Sequence, residues 1–220
     1  MTQRDILKTA LTAALLSLAL FALAFVLALT GNPVVGQEQF ETISAPAAYT
    51  ASLVGGASGL RRILFVDGLF MLAYTVAIGF AIMAFAERNR VAAWIGGIGI
   101  VLVMLLDAME NAVMAQSLDL ALIGEAVSAD RIAFQALVSA MKWQSAAAAL
   151  LAVSFVLPDE TPVEKLLVWG VRLGLPIAVP LFIMNGFDAR GLGLLMLPVA
   201  MGGGFVLLAL VLLGRLRGTG

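Results

Sequence analysis

Long apolar stretches alternate with short polar segments along the whole chain. An α-helix needs about 20 mostly apolar residues to cross the hydrocarbon core of a bilayer, which is about 30 Å thick. Six stretches meet this requirement, at residues 9–30, 63–86, 91–116, 131–157, 164–184 and 192–214. No segment alternates apolar and polar residues with period two over the length of a barrel strand. The pattern predicts an all-α polytopic membrane protein, in which residues 1–220 form one integral membrane domain with a bundle of six transmembrane helices.

The polar segments between these stretches contain residues that begin or end helices. The sequence Thr161-Pro162-Val163-Glu164 matches a capping box with proline at the first helical position, and it predicts the start of the fifth helix. The longest polar segment, residues 31–60, is expected to be an extracytoplasmic loop. Within it, Ser44 and Pro46 precede an alanine-rich run. Either a short helix on the membrane surface or a Gly/Ala-rich connector fits that run.

The amino-acid composition is that of a membrane protein. Hydrophobic residues make up 62% of the chain and charged residues 12%, whereas a typical soluble domain has about 45–50% and about 25%. The chain contains no cysteine and no histidine, which excludes disulfides, histidine-ligated haem or zinc, and catalysis by either side chain. We therefore expect no cofactor, with a divalent cation held by carboxylates as the one alternative left open.

The charge balance bears on partners and location. A formal net charge of −1 provides no basic patch for nucleic acid. The expected partners are the lipid bilayer and a small ligand, an ion or a lipid. We expect a multi-pass protein of the cell membrane, of the bacterial inner-membrane type.

The distribution of Lys and Arg predicts which helix ends face the cytosol, because cytoplasmic loops carry an excess of these residues. With the N-terminus inside, seven basic residues lie on the inside and four on the outside: Arg4, Lys8, Arg88, Arg90, Lys165, Arg215 and Arg217 against Arg61, Arg62, Arg131 and Arg190. The expected orientation is N-in and C-in. The first apolar run continues past Ala22-Leu23-Ala24, so we interpret it as an uncleaved helix rather than a signal peptide.

Polar side chains interrupt three of the apolar stretches, and in each stretch they share one helical face. In the third stretch they fall at i, i+3 and i+4, in the fourth at i, i+4, i+8 and i+11, and in the second two of them are seven apart. A charge inside a span costs about 2.5–3.5 kcal/mol on insertion scales, so these residues are candidates for function. The predicted ligand-binding residues are Asp67, Tyr74, Asp107, Glu110, Asn111, Arg131, Gln135, Ser139 and Lys142.

Helix geometry places these polar residues in one layer. At 1.5 Å per residue, Asp107 lies about 24 Å from the inner end of its span, and Lys142 about 16 Å from the outer end of its own. Lys142 is therefore expected to contact Asp107 or Glu110 in the outer half of the bilayer. The polar groups exceed what one lysine can satisfy, so we expect an outward-facing pocket that holds water or a ligand.

Three functions are consistent with such a layer. In the first, the protein binds or transports a small ligand or ion. In the second, it is an intramembrane enzyme acting on a lipid or isoprenoid, with Asp107 and Glu110 holding a divalent cation against a phosphate. In the third, it is an accessory or assembly subunit, and the charge cluster only fixes the positions of its helices.

The orientation can be tested because the chain has no native cysteine. A cysteine introduced at position 48 is expected to react with a membrane-impermeant thiol reagent added from outside, since residues 31–60 contain no Lys or Arg. Labelling from the cytosolic side only would contradict the expected orientation and the depths derived from it.

Overall fold

Helices are the regular elements of the computed structural model, which describes residues 1–31 and 36–218. No strand occurs within these residues. The six α-helices are α1 (Gln3–Leu29), α2 (Pro46–Phe85), α3 (Arg90–Leu122), α4 (Ala129–Val153), α5 (Pro162–Ile183) and α6 (Arg190–Gly218). Each is long and apolar enough to cross a membrane. The all-helical class and the six candidate spans are confirmed, and they indicate a multi-pass membrane protein.

The prediction that residues 31–60 form a loop is wrong for the second half of that segment, because α2 begins at Pro46 and runs for 40 residues. Proline fits the first turn of a helix, where its missing N–H would have no partner anyway. Tyr49, Leu53 and Leu60 lie on one face of this extension and are buried. Burial of that face, which the apolar-run criterion does not detect, keeps the extension helical.

The described residues group into two compact units. The first unit comprises Met1–Ala19, Leu72–Met104 and the described part of Trp143–Gly220. One of its cores lies between α5 and α6 and contains Leu175, Ala178, Val179, Phe182 and Leu197. The predicted capping box is present at the start of α5, since the Thr161 side chain accepts from the Glu164 backbone and the Glu164 side chain accepts from the Thr161 backbone.

A network of ion pairs joins the polar connections of the first unit. Arg88 pairs with Asp159 and Glu160, at 2.7 Å each, and Arg215 pairs with Glu160 at 2.7 Å and with Glu164 at 2.6 Å. Hydrogen bonds from Arg88 and then Arg215 hold the pKa of Glu160 below its ordinary value. Because the folded-state pKa is lowered, the network stabilises the fold at neutral pH, and this contribution is lost on acidification.

The second unit comprises Leu20–Met71, as far as it is described, and Leu105–Lys142. Its core contains Phe40, Tyr49, Leu53, Leu60, Met114, Leu118, Ala121, Val127 and Ile132. Two polar contacts hold its edges: the Val127 N–H donates to Thr50 Oγ1 at 3.0 Å, and Arg61 pairs with Asp119 at 2.6 Å. The second unit contains every predicted site residue except Tyr74. The expectation of a single integral membrane domain stays a prediction.

Close packing of α5 against α6 depends on Gly193. A Cβ placed on Gly193 would lie 2.6 Å from the Phe182 nitrogen and 3.0 Å from the Ala178 carbonyl oxygen, whereas a Cβ on Gly191 meets nothing within 4 Å. We expect Gly193→Ala to destabilise the protein by about 1–3 kcal/mol, because backbone atoms cannot move aside cheaply. Gly191→Ala is the matched control and should be neutral or slightly stabilising. Thermal unfolding in detergent measures both, and equal melting temperatures for the two variants would contradict this packing.

Candidate functional site

Three carboxylates surround the ammonium group of Lys142. Lys142 Nζ contacts Glu110 Oε2 directly, and it lies 3.4 Å from Glu41 Oε1 and 3.4 Å from Asp107 Oδ1. Lys142 is 6% exposed and Glu110 0%, and the other two carboxylates are also buried. We call these four residues the Lys142 cluster. It places three acidic groups and one basic group in a buried region.

Helical spacing explains three of the four members. Asp107 and Glu110 are three residues apart in α3, so they project from one face. Lys142 belongs to α4 and lies three residues after Ser139, whose Oγ donates to Glu110 Oε1. The two oxygens of Glu110 therefore have different partners, one a hydroxyl and the other an ammonium. The contact of Lys142 with Asp107 and Glu110 agrees with the prediction from spacing and depth.

Glu41 comes from outside the long helices. It follows a short 3-10 turn, Gln37–Phe40, and its backbone N–H donates to the carbonyl of Glu38 at 3.3 Å. The ring of Phe40 is buried and meets the ring of Tyr49 edge-on, with centroids 5.3 Å apart. This aromatic contact anchors the turn on α2 and so positions the Glu41 carboxylate beside Lys142.

Asn111 links the same turn to α2. Its Nδ2 donates to Asp67 Oδ2 at 2.6 Å, and its Oδ1 accepts from Gln37 Nε2 at 2.8 Å. Both ends of the Asn111 amide are therefore oriented by partners from different elements. Asp67 is the fourth carboxylate of this region, and it is held by an amide.

Arg131 lies on the same face of α4 but has other partners. Its Nε donates to Ser117 Oγ and its Nη2 to Gln116 Oε1, both at 2.8 Å. Nη2 also lies 3.4 Å from the Val113 carbonyl oxygen. Arg131 is therefore neutralised by no carboxylate among these contacts, and its charge is solvated by neutral oxygens of α3.

Two buried polar side chains have no hydrogen-bond partner in the part of the chain that the structure describes. Both the Oε1 and the Nε2 of Gln135 are in this state, and so is the hydroxyl of Tyr49. Gln135 is 0% exposed and Tyr49 2%. Burying such groups without partners is costly, by about 1–3 kcal/mol each.

The structure brings most of the predicted site residues together. Lys142, Asp107, Glu110 and Ser139 form direct contacts, and Asp67 pairs with Asn111. The expectation of an open pocket is wrong for the Lys142 cluster, because its four side chains are buried. Tyr74 is buried and belongs to the first unit. That any of these residues binds a ligand stays a prediction.

Sequence analysis missed Gln37, Glu41, Ser117 and Tyr49 as members of this region. The first two lie in a polar segment that apolar-run criteria assign to a loop. One signal was present in "GQEQFE", where the aromatic residue Phe40 stands among polar neighbours. A lone aromatic residue in such a segment often anchors it against a core. Nothing comparable marks Ser117 or Tyr49.

The carboxylates converge on lysine rather than on one another. Over residues 1–31 and 36–218, no group of three carboxylates is placed so that it could hold a metal ion. Comparison of the chain with protein-family models, with curated proteins and with solved structures gives no match.

The contribution of Lys142 to the stability of the protein can be measured by substitution. Lys142→Met is expected to destabilise the protein by about 3–5 kcal/mol, because three buried carboxylates lose their counter-charge. Glu110→Gln should cost less, since Glu41 and Asp107 still face the ammonium.

Thermal unfolding in detergent measures each change. Lys165→Met is the control, since Lys165 is exposed. The double variant Lys142→Met/Glu110→Gln should lose less than the sum of the single variants, because the two residues interact. A Lys142→Met protein as stable as the wild type would show that the ion pairs contribute nothing.

Proposed function

We propose that this chain is a multi-pass membrane protein that binds or transports a small cation at the Lys142 cluster. The observation that carries the proposal is the imbalance of charge, with Glu41, Asp107 and Glu110 around one buried ammonium. A lysine that only fixed the positions of two helices would need one carboxylate. The two further acidic groups favour exchange of the ammonium for another cation as part of the function.

In this proposal Lys142 acts as the resident cation. An arriving cation takes the place of its ammonium among the carboxylates, and the long lysine side chain moves aside. A monovalent cation leaves the net charge of the cluster as it was, so the exchange does not leave the three buried carboxylates without a counter-charge. Bound and unbound states then differ in the position of one side chain.

The 3-10 turn Gln37–Phe40 is proposed to cover the site. Gln37 contacts Asn111, and Glu41 contacts Lys142, so the turn is held by residues of the site itself. Displacing Lys142 would remove one of these two contacts. With the N-in and C-in orientation that the Lys/Arg distribution supports, the turn would lie at the outer face, and cations would enter from outside.

One observation favours a purely structural role, which is the second candidate function. The Lys142 cluster is buried, and its ammonium already has a direct carboxylate partner. The enzyme hypothesis receives less support. Lys142 faces carboxylates and Arg131 faces neutral oxygens, so neither cation is presented to a substrate phosphate.

Cation binding can be detected as stabilisation of the folded protein. We expect the melting temperature in lipid nanodiscs to rise saturably when methylammonium replaces N-methylglucamine at constant ionic strength, and sodium, potassium, calcium and magnesium are compared with it. A ligand at 100 times its Kd stabilises by about 2.7 kcal/mol. The effect should be reduced in Glu41→Gln and in Asp107→Asn, which remove ligands of the proposed site.

Asp119→Asn is the matched control. Asp119 is an exposed carboxylate of the same unit, and it pairs with Arg61 outside the Lys142 cluster. Its variant should keep the wild-type response. The same melting temperature in every cation would overturn the proposed function and leave the structural role.

A further inference from the structure

The Gln135 amide is the feature that the cation proposal does not use. Both of its polar atoms are buried without a partner in the described chain, and the Tyr49 hydroxyl shares this state. Leucine has nearly the same volume as glutamine and would fill the position without leaving buried polar atoms unpaired. Two such side chains in the second unit favour a polar ligand as their hydrogen-bond partner.

Gln135 lies close along α4 to the Lys142 cluster. Gln135 precedes Ser139 by one helical turn, which is about 6 Å along α4. Ser139 Oγ lies 3.0 Å from the Gln135 carbonyl oxygen and also binds Glu110. Gln135 therefore belongs to the face of α4 that carries the site.

Tyr49 reaches the same region from α2. It belongs to the core that also contains Met114 of α3 and Ile132 of α4. Gln135 lies three residues after Ile132 on α4, so the two unpartnered groups belong to the same packing of α2 with α4.

The chemistry of these groups restricts which ligand could pair with them. Gln135 offers an acceptor oxygen and an NH₂ donor, and a tyrosine hydroxyl can donate or accept. An inorganic cation would bind oxygen atoms and leave the NH₂ without an acceptor. A carboxamide presents a carbonyl oxygen and an N–H side by side, so it could pair with both atoms of Gln135.

Resting on the proposed cation site, we propose that the ligand is a small ammonium compound that also carries a neutral donor–acceptor group such as a carboxamide. The ammonium binds the carboxylates of the Lys142 cluster. The neutral group pairs with Gln135 and is contacted by the Tyr49 hydroxyl. One ligand thereby supplies the positive charge that replaces the Lys142 ammonium and the hydrogen bonds that Gln135 and the Tyr49 hydroxyl lack within the described residues.

Three probes of similar size separate these two parts of the ligand. Glycinamide has the ammonium and the carboxamide, isobutylammonium keeps the charge but replaces the amide by methyl groups, and propionamide keeps the amide without the charge. Each is titrated against the full-length protein in nanodiscs at pH 7, and the shift in melting temperature gives an apparent Kd.

In the wild type we expect glycinamide to bind about tenfold more tightly than isobutylammonium, and propionamide to give no saturable shift. In Gln135→Leu the two ammonium compounds should have equal apparent Kd. Gln135→Leu should fold at least as well as the wild type, because it removes an unpartnered buried amide. Tyr49→Phe is the second variant and should reduce the preference for glycinamide.

The outcomes distinguish the two proposals. Equal affinities of glycinamide and isobutylammonium in the wild type would overturn the amide subsite, with water as the partner of Gln135, and would leave the cation site standing. No saturable response to either ammonium compound would overturn the further inference, and the proposed function would fail independently if the inorganic cations and methylammonium were also without effect.

Discussion

The compensation of buried acidic groups by a single ammonium is the constraint on which the second unit depends. Glu110 has no exposed surface, and it receives the Lys142 ammonium at one oxygen and the Ser139 hydroxyl at the other. An uncompensated carboxylate at such a place would cost several kcal/mol. The facing positions of α3 and α4 are therefore fixed by charge as well as by apolar packing.

The same constraint explains why a polar turn is folded over apolar helices. The Glu41 carboxylate pairs with the Lys142 ammonium, and the Gln37 amide donates a hydrogen bond to the Asn111 amide oxygen. Phe40 supplies apolar burial between these two polar contacts. The proposed cation would compete with Lys142 for the carboxylates, so the contacts that hold the turn are also those that ligand binding would change.

The periodicity of the chain is sufficient to predict the helices and part of the candidate site. Spacing alone placed Asp107, Glu110, Ser139 and Lys142 on facing stripes, because a helix of 3.6 residues per turn repeats without knowledge of its neighbours. It could not place Glu41, since the path of a connecting segment depends on tertiary contacts such as that of Phe40 with Tyr49. For the same reason, the start of α2 at Pro46 could not be read from hydropathy.

Burial was the property least accessible from sequence. An excess of polar groups suggests an open pocket, but the Lys142 cluster is buried. Within residues 1–31 and 36–218, the Gln135 amide and the Tyr49 hydroxyl are buried without hydrogen-bond partners. Arg131 shows a related difficulty. Its position on the stripe is that of a site residue, yet its hydrogen bonds go to Ser117 and Gln116. Helical spacing and depth predict the partners of Lys142 across the helices, but they do not predict those of Arg131.

Exchange of Lys142 for an arriving cation is the central claim, and it can be observed directly. The chain has only three lysines, Lys8, Lys142 and Lys165, so the side-chain ¹⁵N signals in solid-state NMR can be assigned with Lys142→Met. The measurement is the dipolar coupling between the Lys142 Nζ and ¹³C-labelled carboxylates in lipid, with and without saturating methylammonium. A coupling present without the cation and weakened with it is the predicted result. A coupling that stays unchanged would contradict the exchange and identify the Lys142 cluster as a permanent structural ion pair.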